Sequence, residues 1–121
     1  MLMTKRFVLL SLLLLTLGCS TRNPRVLPNE VVGFWTTDAI SYKGRSIDLM
    51  NAFVIVGAGD RGSPSLLIID RVEVEPSVTG TTYTIYSTTT EHTRDQLSVQ
   101  FDPRNGGELH FKNQPGVSWR R

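Results

Sequence analysis

The chain has almost no cysteine. Cys19 is the single one among 121 residues, so no intramolecular disulfide can form and a folded domain must rest on its apolar core alone. Charge of one sign is also lacking. Of the 13 basic side chains two, Lys5 and Arg6, stand at the extreme N-terminus, which leaves 11 to face 11 acidic ones in the remainder. No basic run alternates with aromatics, so the electrostatic footprint of a nucleic-acid binder is missing, as is a polybasic membrane patch. The two histidines, His92 and His110, stand apart and without metal-ligand spacing, and no G-x-S-x-G elbow occurs. Glu91, His92 and Asp95 are near neighbours, but in a stretch that reads as a solvated turn. Catalysis, a metal and a cofactor are therefore not expected. Nor is there an amphipathic helical pattern of ten or more residues.

One long apolar run is present. Phe7 to Leu17, interrupted only by Ser11 and Thr16, follows Lys5 and Arg6 in the manner of an export signal. As a helix it rises about 16 Å, roughly half of a ~30 Å hydrocarbon core, which is too short for a comfortable permanent span. The run ends at Thr16-Leu17-Gly18-Cys19, which resembles the lipobox of bacterial lipoprotein precursors. The resemblance implies cleavage between Gly18 and Cys19 and acylation of the Cys19 thiol. Gly18 suits a peptidase that must grip bare backbone beside the cut, whereas Thr16 departs from the aliphatic residue usual at that position. Ser20 after the anchor implies sorting to an outer membrane, where aspartate would imply retention at the inner one.

The expected organisation is a cleaved signal over 1–18, an anchored tether over 19–29, and one domain over 30–121. The tether reading rests on the polar and proline content from Ser20 to Asn29. The rest, about ninety residues, is the size of one small domain.

Period-two alternation dominates the domain. Leu97, Val99 and Phe101 alternate with Ser98 and Gln100; Leu109 and Phe111 flank His110; Val117 and Trp119 flank Ser118. The turn formers of Asp102–Gly107 and Asn113–Gly116 separate them, giving three consecutive antiparallel strands. Tyr83 and Ile85 alternate with Thr82, Thr84 and Tyr86 inside the threonine-rich stretch 79–93, which suits a further strand. Ala52–Val56 and Leu66–Ile69 read as central strands, Val31–Thr37 as the first, and Ile47–Ala52 as a short turn. The expected class is all-β, a small antiparallel β-barrel or sandwich of about seven short strands.

Gly57-Ala58-Gly59-Asp60-Arg61-Gly62 matches G-x-G-x-x-G after a strand, but a dinucleotide site needs the third glycine in the first turn of a helix. Ser63-Pro64-Ser65 and the apolar Leu66–Ile69 follow instead, so the segment reads as a loop between strands. Asp70 shares parity with Leu66, Ile68, Val72 and Val74, and on a regular strand it would face the core. A buried carboxylate must be paired or protonated. The alternatives are a β-bulge that turns Asp70 outward, a salt bridge to Arg71 or Arg94, or a polar anchor for a ligand. Asp70→Ala is expected mainly to lower stability.

Gly33-Phe34-Trp35 is similar to the G-x-W on the first strand of lipocalin-like barrels, whose tryptophan is closed over by a late arginine; Trp119-Arg120 is the matching candidate. Trp35, Trp119 and Arg120 join Asp70 as possible binding or core-polar residues. The favoured function is a periplasm-facing protein-interaction module, held to the membrane by its N-terminal lipid and engaging an envelope protein through a strand edge or loop. The alternatives are a small-molecule or lipid-binding barrel, and an inhibitor of a periplasmic or host hydrolase such as lysozyme, using the loop 57–64.

Overall fold

The structure is a computed structural model that describes residues 25–59 and 62–121. Gly18, Cys19 and Ser20, the greater part of the expected tether, and Asp60 and Arg61 lie outside the described residues. Seven antiparallel strands, β1 (Gly33–Thr36), β2 (Ser46–Leu49), β3 (Phe53–Gly57), β4 (Ser65–Ser77), β5 (Gly80–Thr89), β6 (Arg94–Asp102) and β7 (Glu108–Phe111), form one sheet in sequence order. A single up-and-down sheet excludes the sandwich form of the expectation. The sheet curls into a half-barrel, and the C-terminal segment spans its two edges. Thr36 exchanges backbone hydrogen bonds with Arg120, and Leu109 with Trp119, at 2.8 and 2.9 Å. Both edge strands thus find partners for groups that would otherwise be open.

The concave face follows directly from the alternation. Trp35, Ile47, Leu49, Val54, Tyr83, Ile85, Val99, Phe101, Leu109, Phe111 and Trp119 are buried, while the residues between them face outward. Each such side chain contributes roughly 1.5–3 kcal/mol, which explains how the domain holds without a disulfide. Trp35 meets Phe101 edge-on with ring centroids 6.3 Å apart, and Phe111 meets Trp119 likewise at 5.6 Å. These large rings fill the interior that a ligand-holding barrel would keep open.

Two expectations are corrected. Ile47–Ala52 is not a turn: Ile47 and Leu49 point inward from β2 and Ser46 and Asp48 outward, with the turn only at Met50–Ala52. The tether does not extend to Asn29, because Leu27 and Val31 are completely buried. The Leu27 amide donates to Asn51 O at 2.8 Å, and Asn51 Nδ2 returns a bond to Leu27 O at 2.9 Å. A turn follows, with Val31 N donating to Pro28 O, so the first strand starts at Gly33 rather than Val31. The folded unit therefore includes residues 27–32, which plug one end of the half-barrel.

On β4 the structure takes the bulge alternative for Asp70. The register of this strand against β5 shifts between Ile69 and Arg71, leaving Asp70 as the extra residue of a β-bulge. Before the bulge Leu67 and Ile69 face the core; after it Val72 does. Leu66 and Ile68 are consequently outside, and Asp70 is exposed with them. At the far end of β4 the two-residue loop Val78–Thr79 needs Gly80. Its φ is +144°, and a Cβ there would lie 2.2 Å from Phe101 O.

Inside the sheet, opposite Ile69, the hydroxyl of Ser87 is buried without a hydrogen-bond partner among the described residues. Leaving a donor unpaired is costly, so Ser87→Ala is expected to be neutral or to stabilise by up to about 1 kcal/mol in urea unfolding. A loss of stability would show that the hydroxyl is satisfied.

Candidate functional site

The sequence-predicted residues are not brought together. Trp35 lies at the plugged end, fully buried, with Nε1 donating to Val31 O at 3.0 Å. The arginine over it is Arg121, not Arg120: its guanidinium carbon is 4.7 Å from the Trp35 ring centroid, and Nη1 donates to Val32 O at 2.9 Å. Alternation gives the reason. Trp119 points inward, so Arg120 must point outward, where Nη2 meets Glu108 Oε2 at 2.9 Å, and Arg121 returns to the plugged end. Trp119 is itself a core residue, its Nε1 donating to Gln114 Oε1 at 2.9 Å. Both tryptophans are buried in the core.

Asp70 is neither a ligand anchor in the core nor an ion-pair partner of Arg71 or Arg94. Its Oδ2 accepts a bond from Thr88 Oγ1 at 2.7 Å on the exposed face. One exposed hydrogen bond is worth little, so the expected cost of Asp70→Ala falls to below about 1 kcal/mol. A thermal melt shifted as far as that of a core variant would place Asp70 in a different environment.

Asp102, buried where β6 enters the β6–β7 loop, is held by Arg104. The guanidinium reaches both oxygens at 2.7 to 3.1 Å and the Arg104 amide donates to Oδ1 at 3.0 Å. These bonds, the side-chain ones first, pull the carboxyl from its ordinary 3.8 down to about 2. A depressed folded-state pKa stabilises fully above the unfolded value and the gain is lost as pH falls through the folded one. Stability should therefore decline as pH drops from about 4 to about 2, and Asp102→Asn should flatten that part of the profile.

A strand, not a long helix, follows the glycine-rich segment: β4 begins at Ser65 and runs antiparallel to β3. On the outer face of β5–β7 a mixed groove of about 470 Å³ is lined by Thr84, Ser98, Gln100 and Lys112 together with Phe111 and Pro115, among others. His110 Nε2 lies 3.3 Å from Glu108 Oε1, its neighbour two positions earlier on β7. Among the described residues no group of three or more potential metal ligands occurs, and no helix is long and apolar enough to cross a membrane.

The feature that sequence reasoning missed is the length of β4. It runs for 13 residues, whereas β3 pairs with it only as far as Ile68, with one further bond from Ile69 N to Ala52 O. From Asp70 to Ser77 the strand is paired with β5 on one side and with no described residue on the other. This half-strand exposes Asp70, Arg71, Glu73, Val74, Glu75 and Pro76. It is braced rather than loose. Arg71 stacks on the Tyr86 ring at 3.7 Å and lies 3.4 Å from Glu73, whose carboxylate also accepts the Tyr86 hydroxyl and is held below its ordinary range chiefly by that bond. Charges and a proline on an open edge discourage pairing with a second copy of the same chain. The bulge is among the alternatives for Asp70, but nothing in the alternation of 66–74 shows that β4 continues past β3. No family model matches the chain, and no curated protein or solved structure matches it either.

Proposed function

We propose that this chain is a lipid-anchored protein of a bacterial envelope whose β domain faces the periplasm and binds a protein partner, taking an extended segment of it onto the open edge of β4. The observation that carries the reading is the unpaired half of β4 over Asp70–Ser77. Up to Pro76, which has no N–H and ends the row of donors, it offers backbone donors and acceptors in a braced conformation, which is what strand addition requires. Its side chains set the chemistry of the guest. Asp70, Glu73 and Glu75 outnumber Arg71, so the fitting segment is extended and basic. The anchor is supported by the apolar run after Lys5 and Arg6 and by the Gly18-Cys19 junction, and an outer-membrane address by Ser20.

The ligand-holding barrel is weaker, because Trp35, Trp119, Tyr83 and Phe101 occupy the space a ligand would need. A photo-crosslinking side chain placed at Val74 in the anchored protein should capture one envelope protein, while the same group at Gln96, on the outer face of β6, should capture none. Equal capture at both positions, or none at Val74, would contradict strand addition.

A further inference from the structure

The exposed apolar side chains are unevenly placed. In an up-and-down sheet alternate connections share an end. The β2–β3 turn (Met50–Ala52), the β4–β5 tip (Val78–Thr79), the β6–β7 loop and the C-terminal Arg121 therefore lie together with the plug formed by residues 27–32. Four large apolar residues are exposed at this end. Val78 is fully exposed at the hairpin tip, Val26, at 49%, precedes the buried Leu27, and Met50 and Phe53 flank the turn to which Leu27 is bonded. Ile68 continues the group, paired across from Phe53. At the opposite end the connections 90–93 and 112–116 are built mainly of threonine, charged and amide side chains, glycine and proline, and the exposed aliphatic residues there are Ile40 and, less so, Leu66 at the start of β4.

The same end is where the chain leaves toward Cys19. From Cys19 to Val26 there are seven residues, which reach about 25 Å when fully stretched at ~3.3–3.6 Å each. That is less than the breadth of a domain of this size, whose radius of gyration is about 12 Å. A lipid on Cys19 therefore keeps this end close to the bilayer, whatever the rest of the domain does. At this end Arg104 is paired with Asp102 and Arg120 with Glu108, which leaves Arg25 and Arg121 against Glu30, a net excess of one positive charge that favours an anionic headgroup layer.

We propose that the plugged end of the domain lies on the membrane that holds the anchor, with Val26, Met50, Phe53 and Val78 seated at the boundary between headgroups and acyl chains. The proposal rests on lipidation at Cys19 and adds an orientation to it. Apolar loops beside a lipid anchor act as a second membrane signal, and two signals fix a posture that one flexible tether does not. The loops at 37–45 and 90–93 then face away from the bilayer. The open edge of β4 runs along the membrane-proximal half, so its guest must itself be held near the lipid.

The test uses the full-length acylated protein in vesicles of phosphatidylethanolamine and phosphatidylglycerol. An environment-sensitive fluorophore is attached at Val78→Cys or Met50→Cys, and in separate samples at Ile40→Cys or Thr90→Cys; the acylated Cys19 does not react. Labels at 78 and 50 should be quenched several-fold more by acyl-chain quenchers than labels at 40 and 90, and aqueous iodide should show the reverse. Protein that floats with the vesicles while all four labels respond alike overturns the orientation and leaves the anchor standing. Protein that does not float overturns both. Labels at 78 and 50 shielded from both quenchers, with dimers captured by a cross-linker, would mean that a second copy covers this end, which also overturns the proposal. Repeating the comparison in phosphatidylcholine alone reads the arginine contribution, and a weaker but still one-sided contrast is expected there.

Discussion

Trp119→Ala is expected to destabilise the domain by about 3–5 kcal/mol, the range for emptying a buried aromatic site. The loss has a second part, because Trp119 is also the residue through which the C-terminal segment is held. Its ring packs against Phe111 and Tyr42, and its backbone exchanges both hydrogen bonds with Leu109. Arg120, next in sequence, exchanges both with Thr36. Removing the ring frees the segment and exposes the edges of β1 and β7 together. Urea unfolding gives the size of the loss. Amide hydrogen exchange gives its place: Thr36 and Leu109 should lose protection ahead of Val54 and Val99 in the centre of the sheet. Arg120→Ala is the control, since its exposed ion pair with Glu108 is worth at most about 1 kcal/mol. If the two variants unfold alike, the C-terminal segment does not hold the edges.

Trp35→Ala is the second large effect, again about 3–5 kcal/mol, at the other extreme of the core. The alanine leaves a void beneath Arg121, leaves Val31 O without its donor, and removes the partner of Phe101. Trp35→Phe separates these contributions. It retains most of the apolar area and a ring for Arg121, and loses the indole donor, for an expected cost of about 1–2 kcal/mol. Arg121→Ala removes only the stacked cation and one carbonyl contact, and about 0.5–1 kcal/mol is expected. The order Ala, then Phe, then the arginine variant is the prediction. An Arg121→Ala loss as large as that of Trp35→Ala would mean that the arginine, rather than the indole, closes the end.

The all-β class was legible because the signal is local and repeated. Leu97-Ser98-Val99-Gln100-Phe101 and Tyr83-Thr84-Ile85 state which side of the sheet each residue takes, and the structure buries them accordingly. Ile47 and Leu49 carry the same alternation over four residues, and a run that short, beside Met50 and Ala52, is easily taken for a turn. Leu66–Ile69 is ambiguous for a different reason. Four consecutive apolar residues fit either parity, and only pairing with β5 decides that Leu67 and Ile69 face inward and that Asp70 is the surplus residue. Bulges and strand overhangs are properties of the partner strand as much as of the strand itself, so the open half of β4 had no signature in the chain. Leu27 was hidden by its polar neighbours and becomes visible only through Asn51, 24 positions away. The choice between Arg120 and Arg121 turned on one step of alternation past Trp119.

Lipidation at Cys19 is the claim on which both the envelope address and the membrane posture depend, and intact-mass analysis with membrane fractionation of the wild type and Cys19→Ser tests it most directly. The account predicts a wild type that lacks residues 1–18, carries the added mass of acyl chains and sediments with membranes, and a Cys19→Ser form that is neither acylated nor membrane-bound. A wild type of unmodified mass, recovered in the soluble fraction, would contradict it.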